Sequence, residues 1–483
     1  MLIILLLFIV YSLILISIDA SSIIFPFKTV SKIGNITSKD INYNISHFAN
    51  EHYSLPAYTE IKIGSPPQNV KFILTNDDCG FKIGKARKCL YNSDYVSHYN
   101  RNKSSNFKYT DKYTKKNSEF ENGHSCSDNF AFVTEISDLD KKVVFGDIGF
   151  YLGTDTNEEI CGVIGLELNQ YKLYCDSMNN IFESLKNNKI IQKQNWIIKY
   201  TSKYEGIFII SPDLSQIINN YDENKLIITN TKKKFSGNSW TIMIDKVSSE
   251  GFNKTINKKT VKAEINNDMD LIEGDWDYYY HITLNYFKNY IQNKICKLEE
   301  ITIGVYHYFA IECDKDKFNI DDMKQFPELT LTLLCFNTDF KLNYKDLFYE
   351  TKYKYFFNII FNKFIFERWV LGKPFLRKYP MVINYEDQTI GYYNENIEIK
   401  TDKKINVNYK GRKFYFYLLI LLALVLFFII GIIFYFVGKN KNKMKKRRAN
   451  ELLDDDFDYI PTKVNSALTN NDNFKNNNNI IND

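Results

Sequence analysis

The sequence predicts a mainly β fold, and two observations predict it. The chain has 483 residues, of which 45% are hydrophobic, so it is long enough for two lobes with separate cores. Short stretches in which apolar and polar residues alternate are rich in β-branched and aromatic residues and are separated by turn residues. The clearest of these stretches are YTEIKIG, KFILT, NWIIKY, GIFII and WTIMID.

Three further segments complete the predicted order of elements. Near the start, IIFPFKTV (23–30) predicts an edge strand, which we interpret as part of the fold and not as a removable inhibitory arm. Residues 91–118 are polar and basic with almost no aliphatic residues, which is typical of a long exposed loop that adds nothing to a core. The stretch SMNNIFESLKNNKII predicts a helix with Ile181, Leu185 and Ile190 on one face and Asp176–Ser177 as its cap.

Apolar runs flank this region on both sides. Residues 1–20 end on a small residue and resemble a signal peptide, with an uncleaved anchor as the alternative. Residues 414–437 carry no charge and are long enough to cross a bilayer as one helix, and the basic block that follows them favours a cytosolic C-terminus. The sequence therefore predicts a single-pass type I membrane protein of the secretory pathway or cell surface. Its ectodomain would be lumenal or extracellular, and its cytosolic tail at 438–483 would be disordered.

Cysteines and sequons fit an oxidising compartment. All eight cysteines lie between the two apolar runs and are disulfide candidates, although the sequence leaves their pairing open: Cys79, Cys89, Cys126, Cys161, Cys175, Cys296, Cys313 and Cys335. The N-x-[ST] sequons make four glycosylation candidates: Asn35, Asn44, Asn102 and Asn253. We expect no metal or other cofactor, since no C-x-x-C pair occurs. We also expect no nucleic-acid partner, because many of the basic residues behind the formal charge of +5 cluster beside 414–437.

The order of several segments between about residues 56 and 394 resembles that of the pepsin-like aspartic proteases. In the first half the resemblance rests on YTEIKIGSPPQNVKFIL, CGVIGLELNQ and NNIFESLKNNKIIQKQNWIIKY. In the second half it rests on GIFIISPDL, SWTIMIDKVSSEG, FPELTLTL and WVLGKPFLRKYPMVINYEDQTIGYY. The resemblance implies a bilobal β fold with lobes at 21–204 and 205–398, followed by a juxtamembrane linker at 399–413 and the single transmembrane helix at 414–437.

In that family each lobe supplies one aspartate from a loop reading Asp-Thr/Ser-Gly, and the two carboxyl groups share a proton and activate a water molecule. At the family's spacing these aspartates fall at Thr75 and Asn266, in loops that read Thr-Asn-Asp and Asn-Asn-Asp. A hydroxyl or an amide can orient a water molecule but cannot take its proton. The resemblance therefore implies a degenerate dyad with no catalytic residue at either position.

Four acids lie close to these loops and allow two interpretations. Asp77 and Asp268 stand where the family has glycine, and Asp78 and Asp270 are their neighbours. The acids are either solvated loop carboxylates or, in the case of Asp77 and Asp268, a substitute catalytic pair, with Asp78 and Asp270 as weaker candidates. Phe120 lies where the family's flap would place an aromatic residue.

Three functions follow from these patterns. We expect a catalytically inactive aspartic protease-like protein that binds a polypeptide partner through its ectodomain. The alternatives are an aspartic endopeptidase with non-standard carboxylates and an adhesion or assembly subunit that uses the bilobal fold as a scaffold. Motifs of serine hydrolases, zinc proteases and P-loop enzymes are absent from the sequence.

Overall fold

The computed structural model describes residues 22–29, 44–84, 97, 99–110, 123–134, 142–153, 161–168, 180–191, 193–211, 214–216, 218–230, 240–255, 261–334, 336, 338–365, 368–394, 431, 435 and 439–448. The chain divides into two compact units, Met1–Ile405 and Asn406–Asp483. The first unit contains two large sheets, which confirms the prediction of a mainly β fold.

The strands coincide with the alternating and continuous apolar runs of the sequence. In the first half they are β1 (Ile23–Thr29), β2 (Ala57–Ile63), β3 (Gln68–Thr75), β4 (Phe81–Gly84), β5 (Lys108–Tyr109), β6 (Gly123–Val133), β7 (Lys142–Gly153), β8 (Cys161–Gly165), β9 (Asn195–Tyr200), β10 (Glu205–Ser211) and β11 (Leu226–Asn230). In the second half they are β12 (Thr241–Ser249), β13 (Phe252–Thr255), β14 (Lys262–Ile265), β15 (Ile272–Gly274), β16 (Cys296–Ile303), β17 (Tyr306–Asp314), β18 (Leu329–Leu333), β19 (Asp339–Leu342), β20 (Phe348–Glu350), β21 (Lys354–Phe357), β22 (Ile359–Asn362), β23 (Arg368–Leu371), β24 (Met381–Asn384) and β25 (Thr389–Tyr393).

The helices of this unit are short. They are α1 (Ile45–Tyr53), α2 (Ile181–Asn187), α3 (Trp276–Asn285), α4 (Lys288–Gln292), α5 (Ile320–Lys324), α6 (Tyr344–Leu347) and α7 (Lys373–Lys378). Single 3₁₀ turns occur at Arg101–Lys103, Leu214–Gln216 and Glu223–Lys225. The predicted helix is present as α2, and its N-cap is Asn180, whose side-chain oxygen accepts a hydrogen bond from the Phe182 N–H. The predicted caps Asp176 and Ser177 lie outside the described residues.

One three-strand arrangement occurs in each sheet. In the first sheet, β8 lies between β3, to which it is parallel, and β4, to which it is antiparallel. In the second sheet, β23 lies in the same way between β14 and β15. Parallel neighbours end at the same edge of a sheet, so the loop that follows β3 lies beside the end of β8, and the loop that follows β14 lies beside the end of β23.

A glycine lets each of these loops approach the neighbouring strand end. A Cβ atom on Gly165, at the end of β8, would lie 2.5 Å from the backbone of Asp78. A Cβ atom on Gly372, directly after β23, would overlap the backbone oxygens of Met269 and Leu271. Only glycine fits at either position without moving the loop.

The strand β1 lies inside the first sheet. It pairs with β10 along six positions, from Ile23–Ile210 to Lys28–Glu205, and its opposite side contacts β2 and β6. The prediction of an edge strand is therefore wrong. The side chains of Ile23, Phe25 and Phe27 are buried in the main core, and this burial explains why the strand has neighbours on both sides.

Part of the segment predicted as a coreless loop contributes to the core. Tyr99 is 3% exposed, and its hydroxyl donates a 2.7 Å hydrogen bond to the carboxylate of Asp128, which is fully buried. Ser104 donates to the other oxygen of the same carboxylate at 2.8 Å. The expectation for residues 91–118 was wrong at this point, because a single aromatic side chain in a polar segment can fill a core site when its hydroxyl has a partner.

The structure contradicts the predicted membrane topology. A bilayer span needs about 20 consecutive apolar residues, whereas the longest of α1–α7 has 10 residues. No helix in the described part of the chain is long and apolar enough to cross a membrane. The prediction of a single-pass type I protein of the secretory pathway or cell surface is thereby corrected; residues 1–20 and most of 414–437 lie outside the described residues.

Part of the segment predicted as a disordered tail lies within the described residues. Within the second unit, residues 439–448 form an exposed helix. Most of these residues are lysine, arginine or methionine, which have high helix propensity. A segment with too few apolar residues to form a core can therefore still contain a local helix.

The close approach of the two loops to glycine predicts a specific instability. Gly165→Ala and Gly372→Ala should each lower the free energy of unfolding by about 3 kcal/mol, because the new methyl group meets backbone atoms that cannot rotate away. Gly146→Ala is the matched control, since its Cβ would meet only the Asn129 side chain at 3.2 Å. Urea unfolding measures all three variants. Equal stability of the control and the two loop variants would contradict this account.

Candidate functional site

The first loop begins where the buried strand β3 ends. Thr75 is the last residue of β3 and is 2% exposed, whereas Asp77 is exposed. The Asp77 N–H donates a 3.1 Å hydrogen bond to the Thr75 hydroxyl oxygen. Asp78 accepts from the Gly80 N–H at 2.8 Å and forms an ion pair with Lys82 at 2.5 Å. The Asp78 carboxylate therefore holds the turn into β4.

The second loop repeats this geometry after β14. The Asp268 N–H donates a 2.9 Å hydrogen bond to the Asn266 side-chain oxygen, as Asp77 does to Thr75. The third residues of the two loops lie in different environments, however, because Asp77 is exposed and Asp268 is only 2% exposed. The two aspartates predicted as a substitute pair thus occupy matched positions in the loops but lie in unlike surroundings.

The two loops face each other and are joined by four hydrogen bonds. Thr75 Oγ1 donates to Asp268 Oδ2 at 2.5 Å, and the Asn76 N–H donates to the same oxygen at 3.2 Å. In the other direction, the Asn267 N–H donates to the Asn76 side-chain oxygen at 3.0 Å, and Asn267 Nδ2 donates to the Leu74 carbonyl at 3.2 Å. The two loops that the sequence analysis assigned to one site are therefore in direct contact.

A buried ion pair supports the second loop from behind. The Asp270 carboxylate is 2.8 Å from His52 Nδ1 through one oxygen and contacts the Arg377 guanidinium through the other. Burial alone would raise the pKa of Asp270, but the charge of Arg377 and the hydrogen bond from His52 hold it well below its usual range. Asp270 is consequently a charged structural residue and not a proton donor.

The segment that follows α1 is fastened to the same loop. The Leu55 N–H donates to the Asp268 carbonyl at 2.7 Å, and the Asp270 N–H donates to the His52 carbonyl at 2.8 Å. The fully buried Lys373 donates its ammonium to the Leu55 carbonyl. His52, Arg377 and Lys373 were not singled out from the sequence, because no local pattern distinguishes them from surface residues of the same types.

A second polar cluster lies on the face of the strands β14, β23 and β15. Val370 pairs with Glu264 on one side and with Glu273 on the other, so both glutamates point to one face. Glu264 forms a 2.7 Å ion pair with Arg368. The hydroxyl oxygens of Tyr53 and Tyr308 are 2.8 Å apart; burial raises the pKa of both, and the charge of Glu273 adds to this effect.

The negative charges of Glu264 and Glu273 are only partly balanced by the single positive charge of Arg368. Burial, opposed by Arg368 and reinforced by the negative charge of Glu264, raises the pKa of Glu273 to about 7. Burial also raises the pKa of Glu264; Arg368 opposes this effect and the charge of Asp77 adds to it. Glu273 is 2% exposed, and its Oε1 has no hydrogen-bond partner among the described residues. A carboxyl group with a pKa of about 7 is neutral in mild acid and about half ionised at pH 7.

The remaining predicted site residues fall into three groups. Cys296 and Cys313 form a disulfide with each other. Cys79 and Cys161 each belong to a disulfide as well. Within the described part of the chain Cys126 is a buried free thiol, and burial raises its pKa to about 12. The sequon residues Asn44, Asn102 and Asn253 are exposed, which a glycan would require. The following lie outside the described residues: Asn35, Phe120, Cys89, Cys175 and Cys335.

No known family model and no curated protein matches this chain.

The ion pair behind the second loop predicts a large loss on neutralisation. Asp270→Asn should lower the free energy of unfolding at pH 7 by about 3 kcal/mol, because it leaves the partly buried Arg377 without its counter-charge. The folded pKa of Asp270 lies below 3.8, so its stabilising contribution is present above that pH and is lost as the pH falls. Urea unfolding at pH 7 and at about pH 3 should therefore show a difference that shrinks in acid. The exposed ion pair of Lys324 supplies the control, Asp321→Asn, which should cost little at either pH.

The raised pKa of Glu273 predicts the opposite pH dependence. Its folded pKa of about 7 lies above the ordinary value of 4.5, so the folded state binds the extra proton and the free energy of unfolding falls as the pH rises between these values. Glu273→Gln mimics the neutral acid and should flatten this decline, with a gain at pH 8 of about 3 kcal/mol at most. Glu386→Gln, which changes an exposed carboxyl group, should leave the slope unchanged. A Glu273→Gln profile parallel to that of the natural protein would overturn the assignment.

Proposed function

We propose that the protein is a catalytically inactive relative of the pepsin-like aspartic proteases that binds a polypeptide partner at the face carrying the two loops. The observation that carries the proposal is the hydrogen bond from Thr75 Oγ1 to Asp268 Oδ2 at 2.5 Å. A dyad of this type needs a carboxyl group from each loop around one water molecule. In this chain the first position offers a hydroxyl, and the nearest carboxylate is engaged in joining the loops.

The topology supports the bilobal part of the proposal. In each sheet, two consecutive strands are joined by one of the loops, and a later strand lies between them. The later strand is β8 between β3 and β4 in the first sheet, and β23 between β14 and β15 in the second. Each inserted strand ends at a glycine that lies against the loop, Gly165 in the first sheet and Gly372 in the second. A duplicated unit with two facing loops is what a bilobal fold of this family requires.

The charges around the loops support peptide binding. Asp77 is exposed, Arg368 is 39% exposed at its side chain, and Glu264 lies beside Arg368 on the strand that leads into the second loop. Burial is the main cause of the raised pKa of Glu264, and the charge of Asp77 from the first loop adds to it. Exposed groups of both signs beside a rigid, hydrogen-bonded pair of loops are suited to holding a polar polypeptide segment.

One observation favours a second function, an endopeptidase with relocated carboxylates. Burial raises the pKa of Glu273 to about 7 and the charge of Glu264 adds to this effect, while burial and then the charge of Asp77 raise the pKa of Glu264. A carboxyl group with such a pKa can give and take a proton at neutral pH. The acids concerned differ from the Asp77–Asp268 pair that the sequence suggested.

A cleavage assay separates these two functions. The purified protein should hydrolyse no peptide from a mixed library between about pH 3 and pH 8, the range that carboxyl and histidine titration covers. Thr75→Asp with Asn266→Asp should also be inactive, because Asp268 would then lie against a second carboxylate and like charges oppose joint ionisation. Adding Asp77→Gly and Asp268→Gly gives the first combination with the family's pattern. Cleavage by the natural protein that Asp77→Asn, Glu264→Gln or Glu273→Gln abolishes would establish the endopeptidase.

Binding to immobilised peptides tests the positive part of the proposal. The fluorescently labelled protein should bind a subset of an array of random 12-residue peptides, and Asp77→Asn with Arg368→Gln should weaken that binding about tenfold, a loss of about 1.4 kcal/mol. The matched control is Asp321→Asn with Lys324→Gln, which removes an exposed ion pair from α5. Binding that survives the loop-face variants unchanged would instead favour a scaffold that makes contact through other surfaces.

A further inference from the structure

A groove of about 820 Å³ lies where β1, β2, β6 and β7 meet on the first sheet. Three contacts mark its corners, the pairs Lys28–Tyr58, Ile24–Val133 and Lys62–Ala131. Between these points the strands β1, β2 and β6 diverge instead of pairing. The groove is therefore a consequence of sheet topology and does not depend on a flexible loop.

The charges lining this groove do not balance. Lys28 is paired with Glu205 at 3.3 Å, outside the lining. Over the described residues, neither Lys62 nor Lys142 has a carboxylate oxygen within ion-pair distance, and Glu60 is the one acid that lines the groove. The described lining residues of the groove therefore carry more positive than negative charge.

Lys142 is more deeply buried than Lys62. Burial, followed by the positive charge of Lys62, lowers its pKa, and the charge of Glu60 opposes them. The ammonium groups of the exposed Lys62 and the partly buried Lys142 repel each other, and an anion between them would compensate this repulsion. The geometry thus favours a ligand with carboxylate groups over a neutral or cationic ligand.

Apolar side chains accompany the lysines. Val144 is 59% exposed and lines the groove together with Ile24, Pro67 and Ala131. A bare inorganic anion would satisfy the lysines but leave the exposed Val144 and Pro67 side chains in water. A ligand that alternates acidic and apolar groups would contact both kinds of side chain, as an extended polypeptide does with its alternating side chains.

We propose that this groove docks an extended acidic segment of a partner polypeptide, with its carboxylates on Lys62 and Lys142 and an apolar side chain on Val144. None of the lining residues belongs to the two facing loops, and the proposal does not depend on the proposed function. Charge complementarity selects acidic over basic segments, and the strand walls select an extended chain. The concave shape favours a peptide over a lipid surface, which would need residues that protrude.

Fluorescence anisotropy tests the docking site with a defined probe. The probe is a fluorescein-labelled peptide, Glu-Val-Glu-Leu-Glu-Val-Glu, and its counterpart carries Lys in place of Glu. The full chain should bind the acidic peptide, and added salt should weaken the binding. Lys62→Glu with Lys142→Glu should weaken it at least about tenfold, and Val144→Asp should weaken it as well.

Two exposed lysines of the second half supply the control, Lys317→Glu with Lys324→Glu, which should leave the affinity unchanged. Near-ultraviolet circular dichroism verifies that each variant retains its fold. Equal binding of the basic peptide, or equal weakening by the control, would overturn the proposal. Displacement of the peptide by inorganic phosphate at a similar concentration would also overturn it, since the site would then bind any anion. Binding to anionic lipid vesicles that is lost in the same variants would assign the groove to a membrane surface instead.

Discussion

The contact between Thr75 and Asp268 joins the two sheets, and the rest of the candidate site is arranged around it. A buried carboxylate needs hydrogen-bond donors, because an uncompensated charge away from water is costly. Asp268 obtains them from the Thr75 hydroxyl and the Asn76 N–H, both of which belong to the other loop. The Thr75 hydroxyl and the Asp268 carboxylate therefore compensate each other as donor and acceptor. Removing either side chain would leave the other without this hydrogen bond.

The buried charge beside the second loop is balanced by partners of opposite charge and by hydrogen bonds. Asp270 is matched by Arg377 and His52, and Lys373 donates to the Leu55 carbonyl, so the segment after α1 is held against the loop by satisfied polar groups. The helix α1 adds an apolar contact, since the Phe48 ring stacks on Phe356 with centroids 4.2 Å apart. Such a network makes the second loop rigid, because moving any member exposes an unpaired charge.

Two other places in the molecule lack this balance, and they have opposite signs. Glu264 and Glu273 share Arg368 near the loops, while Glu60 is the one acid beside Lys62 and Lys142 among the described residues that line the groove. A like charge nearby destabilises the ionised form of a carboxyl or ammonium group. Uncompensated groups at the loop face and in the groove are therefore the places where an external ligand can contribute the missing charge.

The sequence by itself determined the mainly β class, the positions of strands such as β2, β3, β9 and β12, the helix α2, and the absence of acids at Thr75 and Asn266. These features depend on local periodicity and on residue identity, which the sequence displays directly. Tertiary structure decided which acids are buried: Asp77 is exposed and Asp268 is not, although both are the third residue of loops with similar sequences. It also placed β1 inside a sheet, brought Tyr99 to Asp128, and selected His52 and Arg377 as the partners of Asp270. Each of these outcomes depends on contacts between residues far apart along the chain, 193 positions in the case of Thr75 and Asp268. Local patterns carry no information about such contacts, because burial and charge pairing are properties of the folded neighbourhood.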